Sequence, residues 1–237
     1  MQAQKSMSRN ELKDHLSTLD ASDLMEKANY EEGDDGVSYE ATWVLIGRWR
    51  EGEDLQFLVD LLESGQSRDR SSGAYYLGEV GPVNGLKAAV TKLADDPLSA
   101  CRRAFVEYVT YSDDYDEAIA SGLASCLCDL HLGVRLEAIR WAARTSDERF
   151  EDFSKRVRSG AGSYVPRFPN PSSADFWNEA IARRSVRAIE IICCIRSGMP
   201  AAEIAANFPQ EDSLIFESLV FREKRTERFA VSKTSAE

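Results

Sequence analysis

The sequence predicts an all-α protein in which short antiparallel helix pairs follow one another and stack as an α-solenoid. In residues 67–97, small and apolar residues recur at helical spacing on both sides of a Gly-Pro break at 81–82. A similar pattern returns along the chain at offsets of 31, 32 and 33 residues. One such helix pair has an apolar face that it cannot bury alone, so repetition at a nearly fixed period indicates stacking.

The bulk composition predicts a folded protein without a membrane span. The chain has 237 residues, 43% of them hydrophobic, which is enough to bury a core. Its longest apolar runs, at 43–46 and 189–195, are far shorter than the roughly 18 residues of a membrane helix. Its first residues, MQAQKSMSRNEL, lack the apolar stretch of a secretory leader. We therefore expect a cytoplasmic protein with no membrane partner.

The negative charge is concentrated near the amino terminus. The net charge is −11, and residues 1–64 contribute 15 acidic and 6 basic side chains, a net −9, which leaves −2 for the remainder. Charge of this sign repels phosphate backbones and attracts cationic surfaces. We therefore expect a protein partner with a basic surface and no nucleic-acid partner.

The cysteines and histidines do not form a recognisable chemical site. An odd number of cysteines inside helical patterns argues against a disulfide framework and predicts reduced core thiols, at Cys101, Cys126, Cys128, Cys193 and Cys194. The Cys126-x-Cys128-x-x-His131 spacing is not a zinc pattern, because 126 and 128 point about 200° apart on a helix and no second ligand pair follows. A cysteine nucleophile would also lack an orienting third group. We predict no metal, no cofactor, no catalytic residue and no small-molecule substrate.

Residues 1–37 are predicted to cap the solenoid. Ser8 and Glu11 have the spacing of a capping box, which predicts a helix over about 9–18. Asp20 or Ser22 can cap a second short helix. The EEGDDG segment at 31–36 then places four carboxylates between glycines, which predicts a loop.

The repeats occupy residues 38–230. The first copy aligns Gly47 with Gly78, and the next copies place an arginine early in each first helix. The fourth copy, at Val186-Arg187, arrives after 52 residues instead of about 32. The insertion, 159–173, holds three prolines and two glycines and is predicted to be an irregular loop. A last pair spans 200–208 and 213–229, and residues 231–237 are predicted to be a flexible tail.

Two segments resemble HEAT repeats. They are R-x-x-G-A-x-x-L-G-x-V-G-P at 70–82, followed by an amphipathic helix, and the V-R-x-x-A signature at 134–138. The resemblance covers about 38–230 and implies a right-handed solenoid of about five to six antiparallel helix pairs with one irregular insertion. It implies a scaffold or binding module and no particular chemistry.

The resemblance also gives a role to the repeated arginines. Such residues look like inter-repeat contacts, each bonding a carboxylate or loop carbonyl of the neighbouring repeat. The alternative is that they grip a ligand, but a ligand would not need one arginine in every repeat. We call these four the ladder arginines: Arg70, Arg102, Arg135 and Arg187.

The first-helix aromatics are predicted to be core residues. The alternative is a platform on which nucleic-acid bases stack. The predicted core set is Tyr75, Tyr76, Phe105, Tyr108, Tyr111 and Trp141. Trp49 lies between Arg48 and Arg50, which predicts partial exposure.

The sequence therefore favours a protein-binding function. A small acidic HEAT-like protein resembles immunity proteins that neutralise a toxin enzyme, where acidic groups steer association. A scaffold or adaptor is an alternative, and a HEAT-like DNA glycosylase is another that the charge opposes. We predict contacts from loop carboxylates, solvent-facing second-helix residues and insertion residues. These are Glu31, Glu32, Asp34, Asp35, Gln56, Asp60, Glu63, Tyr164, Arg167 and Phe168.

Overall fold

A computed structural model describes residues 8–28, 36–160 and 174–209, with the side chains of 174–182 excepted. This part of the chain consists of α-helices and one short 3-10 turn, and it contains no strand. The predicted all-α class is therefore confirmed. The chain divides into two compact units, Met1–Asp114 and Tyr115–Glu237, which we call unit 1 and unit 2.

The helices are numbered in chain order. Those of unit 1 are α1 Arg9–Ser17, α2 Ala21–Ala28, α3 Val37–Arg50, α4 Leu55–Glu63, α5 Ser67–Val80, α6 Lys87–Lys92 with the 3-10 turn Leu93–Asp95, and α7 Ser99–Tyr111. Those of unit 2 are α8 Glu117–Leu127, α9 Leu132–Arg144, α10 Asp147–Arg158, α11 Ala174–Arg196 and α12 Ala201–Asn207.

The capping box at the start of α1 is confirmed. The Ser8 hydroxyl accepts a hydrogen bond from the Glu11 amide at 3.3 Å, and the Glu11 carboxylate accepts one from the Ser8 amide at 2.8 Å. These two bonds satisfy backbone donors that a helix start leaves unpaired. They also lower the pKa of the Glu11 carboxyl, because both favour its charged form.

Alternate helices pack on each other within each unit. In unit 1, α5 lies against both α3 and α7, and α4 lies against both α5 and α6. In unit 2, α8 packs on α9 and α10, and α11 packs on α9 and α10. Each contact buries apolar side chains, including Leu45, Leu58, Leu77 and Phe105 in unit 1 and Ile119, Leu123, Val134 and Phe153 in unit 2. Burial of this surface is the main favourable term in folding.

The loops that precede α5, α7 and α9 contain the same turn. In each, a side-chain oxygen accepts a hydrogen bond from the backbone amide two residues later, which fixes the chain direction into the next helix. The pairs are Ser64 with Gln66 at 3.1 Å, Asp96 with Leu98 at 2.7 Å, and Asp129 with His131 at 2.7 Å. The three acceptors are spaced 32 and 33 residues apart, matching the period read from the sequence.

Several burial predictions are wrong. Trp49 has 0% exposure, whereas Tyr75 and Tyr111 are 63% and 67% exposed. Tyr75 is exposed because α5 buries the face that carries Ala74 and Leu77, and Tyr111 is the last residue of its helix. Among the cysteines, Cys101, Cys126 and Cys128 are buried as predicted, but Cys193 is exposed.

Gly73 lies where α4 and α5 come closest. A Cβ atom added there would lie 3.1 Å from the Leu61 Cβ, from the Leu62 Cδ2 and from the Leu62 backbone nitrogen. Gly73→Val is therefore expected to lower the free energy of unfolding by about 1–3 kcal/mol, because its methyl groups force the helices apart. Gly78, also in α5, has no described neighbour within 4 Å of such a Cβ.

Gly78→Val is the matched control for this prediction. It is expected to change the free energy of unfolding by less than about 0.5 kcal/mol, because valine and glycine differ little in helix propensity and the added side chain meets no described neighbour. Urea unfolding followed by circular dichroism measures both variants. Equal effects at the two positions would contradict the close approach of α4 and α5.

Candidate protein-binding site

The predicted contact residues fall into two groups. Seven of them lie outside the described residues: Glu31, Glu32, Asp34, Asp35, Tyr164, Arg167 and Phe168. The other three, Gln56, Asp60 and Glu63, lie on α4 and are exposed as expected of solvent-facing positions.

The three α4 residues form an acidic surface strip, which we call the α4 strip. The Gln56 amide donates to the Asp60 carboxylate at 2.7 Å. Glu63 pairs with Lys92 of α6 at 2.8 Å, so part of its charge is balanced. Because these groups are exposed, the pairing contributes little to stability and leaves the carboxylates accessible. The strip can contact a cationic surface.

The described residues contain a feature that the sequence did not predict, an open groove on α3 and α5. Its volume is about 550 Å³. Four aromatic side chains line it, Tyr39 and Trp43 from α3 and Tyr75 and Tyr76 from α5. Tyr39 and Tyr75 are 56% and 63% exposed. We call it the aromatic groove.

The rings in the aromatic groove are held in two edge-to-face pairs. The ring centres of Tyr39 and Trp43 are 6.0 Å apart with an interplanar angle of 66°, and those of Tyr75 and Tyr76 are 5.7 Å apart at 64°. This is the arrangement that aromatic quadrupoles favour. The ring centre of the buried Trp49 lies 5.7 Å from that of Tyr76. The buried indole thus supports the half-buried Tyr76 ring.

Hydroxyl groups share the lining with the rings. The Ser38 hydroxyl donates to the Ala28 carbonyl at 2.7 Å, and the Thr42 hydroxyl donates to the Ser38 carbonyl at 2.9 Å. Ser71 and Ser72 line the α5 side. The groove is therefore amphipathic: its rings offer apolar faces, and its hydroxyl oxygens can still accept hydrogen bonds.

The net negative charge lies almost entirely in unit 1, the unit that contains the groove. Residues 1–114 hold 22 acidic and 12 basic side chains, a net −10, whereas residues 115–237 hold 18 and 17, a net −1. Near the groove, the buried Glu40 pairs with Arg9 at 2.5 Å, and the Arg9 guanidinium lies 5.9 Å from the centre of the Tyr39 ring. The groove therefore belongs to the unit that carries almost all of the chain's net negative charge.

Three ladder arginines bond the loop that precedes their own helix. Each guanidinium donates to the carbonyl six residues upstream: Arg70 to Ser64 at 2.8 Å, Arg102 to Asp96 at 2.6 Å, and Arg135 to Asp129 at 2.8 Å. Arg70 also reaches the following loop, where its Nε donates to the Asp96 carboxylate at 2.7 Å. These guanidinium groups are engaged within the fold.

The fourth ladder position departs from this pattern. Arg187 is half-buried, but it is Arg184 that donates to the carbonyls of Cys128 and Asp129, at 3.4 and 3.1 Å. Val186 is 39% exposed, and its neighbour Ser185 is buried.

The thiols and histidines do not assemble into a reactive centre in the described ranges. Burial, together with the nearby Asp96 carboxylate, raises the pKa of Cys101 to about 11, so this thiol is protonated at neutral pH. Burial also raises the pKa of Cys128. His131 is exposed at the N-cap of α9. Residues 8–28, 36–160 and 174–209 contain no group of three or more candidate ligands that could hold a metal ion.

Among the described helices, none has the length and apolarity needed to cross a membrane. The chain matches no protein-family model and no curated protein.

Proposed function

We propose that this chain is a non-enzymatic binding protein whose partner is another protein with a basic surface. The observation that carries the proposal is the net charge of −10 in unit 1 against −1 in unit 2. A charge concentrated in one unit steers a cationic partner toward that unit and speeds its association. The α4 strip and the aromatic groove lie in that unit and offer contacts of two kinds, ionic and aromatic.

We also propose that the helices form a HEAT-like right-handed solenoid of five to six pairs. Two observations support this architecture: alternate helices pack within each unit, and the turns that precede α5, α7 and α9 are of one type and lie 32 and 33 residues apart. Repeat proteins of this kind offer extended surfaces for binding. In this proposal the loop carboxylates at 31–35 and the insertion at 159–173 add contacts to that surface.

Inhibition of the partner is the preferred outcome of binding. An acidic protein that covers a cationic surface blocks access of anionic substrates to it, as an immunity-type inhibitor does to a toxin. A scaffold would bind the same surface without this effect, so the two functions differ in what happens to the partner's activity. The expected location is the cytoplasm, where the partner would have to be neutralised.

The glycosylase alternative is disfavoured by the arginines of unit 2. Residues 131–170 hold eight basic and five acidic side chains, but several of the arginines are engaged internally. Arg156 bonds Glu117 and Asp152, and Arg140 bonds Glu137. Guanidinium groups paired in this way are poor candidates for contacts with a phosphate backbone.

Affinity capture with the tagged chain from its own cells tests the proposal. We expect one stoichiometric partner with a basic isoelectric point. Its affinity should fall about threefold to tenfold in the Asp60→Asn/Glu63→Gln variant, because two carboxylates of the α4 strip are removed. Titration calorimetry measures this change.

The matched control is Glu148→Gln/Glu203→Gln, which removes the same charge from exposed positions of unit 2. It is expected to leave the affinity unchanged. Co-expression with the captured protein should also protect cells from that protein's activity. An acidic partner, or equal weakening by both double variants, would contradict the proposed function.

A further inference from the structure

We infer that the aromatic groove binds arginine side chains of a basic segment in the partner protein. The inference rests on the proposed function, because it assigns a specific contact to the cationic partner proposed there. Its basis is the coincidence of three properties in one place: exposed aromatic faces, hydroxyl acceptors and a strongly negative unit.

The rings suit a guanidinium ion. The face of an aromatic ring carries negative charge, and tyrosine and tryptophan attract cations within about 6 Å of the ring centre. Arginine also stacks its planar group on such rings, which lysine cannot do. Tyr39 and Tyr75 are more than half exposed, so their surfaces are open to a partner. Trp43 lies beside them and adds a larger ring.

The molecule already makes this contact at one edge of the groove. The Arg9 guanidinium lies 5.9 Å from the Tyr39 ring centre while its Nε pairs with Glu40. A guanidinium is therefore accommodated against Tyr39 when a carboxylate lies nearby. Trp43, Tyr75 and Tyr76 can offer the same contact to a guanidinium from outside.

The size and lining of the groove favour a short peptide segment over a wholly apolar ligand. About 550 Å³ lies in the range of sites that hold ligands larger than one side chain. Hydroxyl oxygens from Ser38, Thr42, Ser71 and Ser72 can accept hydrogen bonds from the five donors of each guanidinium. A purely apolar ligand would make no use of these acceptors.

The charge disfavours an anionic occupant. A groove that stacks nucleic-acid bases on aromatic rings also needs positive charge along the backbone path. The unit that carries this groove has a net charge of −10. A basic peptide gains from the same field that would repel a nucleic acid.

A hexa-arginine peptide tests the inference by nuclear magnetic resonance on the full chain. The indole N–H signal of Trp43 should shift on titration, whereas that of the buried Trp49 should stay in place. Tyr39→Ala/Tyr75→Ala is expected to weaken binding of the peptide at least tenfold, because two cation-binding faces are lost. Hexa-glutamate should not bind.

Tyr111→Ala is the matched control, since Tyr111 is an equally exposed tyrosine in the same unit but does not line the groove. It should bind hexa-arginine like the unchanged chain. Circular dichroism checks that each variant remains folded. Because both tyrosines of the double variant are exposed, we expect it to remain folded.

Three results would overturn the inference. The first is equal binding of hexa-arginine by the double variant and the unchanged chain. The second is a Trp43 signal that does not move at saturation. The third is self-association of the chain that the double variant abolishes, which would assign the groove to a second copy. In the first two cases the proposed function still stands if the α4 strip variant weakens capture of a basic partner, so the two failures are distinguishable.

Discussion

Trp49→Ala is expected to lower the free energy of unfolding by about 3–5 kcal/mol, the usual cost of emptying a large aromatic site in a core. The indole has 0% exposure, and its Nε1–H donates to the Asp54 carbonyl at 3.2 Å. The centre of its ring also lies 5.7 Å from the centre of the Tyr76 ring in α5. The substitution removes the contact of α3 with α5 and leaves the Asp54 carbonyl without its indole donor.

Trp49→Phe separates the two contributions. Phenylalanine keeps most of the apolar contact and loses the hydrogen bond. We therefore expect Trp49→Phe to lower the free energy of unfolding by less than Trp49→Ala does. Urea unfolding followed by far-ultraviolet circular dichroism measures both variants without depending on the removed fluorophore. A loss below about 1 kcal/mol for Trp49→Ala would be typical of a surface position and would contradict the burial described here.

Asp96→Ala is expected to lower the free energy of unfolding by about 3 kcal/mol or more. Asp96 is buried and accepts hydrogen bonds from Arg70 Nε and from the Leu98 amide, both at 2.7 Å. The Arg70 side chain is itself mostly buried. Removing one partner of a buried pair leaves the other charge uncompensated, and that penalty is typically 3–5 kcal/mol. The turn into α7 loses its fixed geometry at the same time.

Two controls accompany this variant. Asp96→Asn retains an acceptor for the Leu98 amide and removes only the charge. Its free energy of unfolding should therefore lie between those of Asp96→Ala and the unchanged chain. Glu107→Ala removes an exposed carboxylate from α7 and should change stability by less than about 0.5 kcal/mol. If Asp96→Ala behaves like Glu107→Ala, the contact between Arg70 and the following loop does not stabilise the fold.

The helical class and the start of α1 could be read from the sequence because they depend on local chemistry. The capping box at Ser8 and Glu11 uses residues three apart, and the loop turns use residues two apart. Such short-range hydrogen bonds are encoded in a few neighbouring residues. The all-α class and the start of α1 follow from them.

The exposure of single aromatics could not be read in the same way. Trp49 is flanked by arginines, but its neighbours in a helix point about 100° to either side, so their charge says little about its own direction. Tyr75 has the composition of a core residue and lies beside the buried face of α5. Which face is buried depends on where the next helix packs, and that is a tertiary property.

The aromatic groove was missed for the same reason. With Gly47 aligned to Gly78, Trp43 aligns with Ala74 and Tyr75 aligns with Val44, so the alignment does not place the two rings at equivalent positions. The sequence pattern therefore gave no sign that these aromatics lie together on a surface. The acidic charge near the amino terminus, by contrast, was readable directly, because net charge is a sum over the sequence.

The salt dependence of binding tests the central claim most directly, since the proposed function rests on charge. The dissociation constant for the full chain and its captured partner should be measured by titration calorimetry at 50 and 500 mM NaCl. The account predicts a basic partner whose affinity falls at least about tenfold over this range, because the higher salt screens the attraction to unit 1. An affinity that does not change with salt would contradict it.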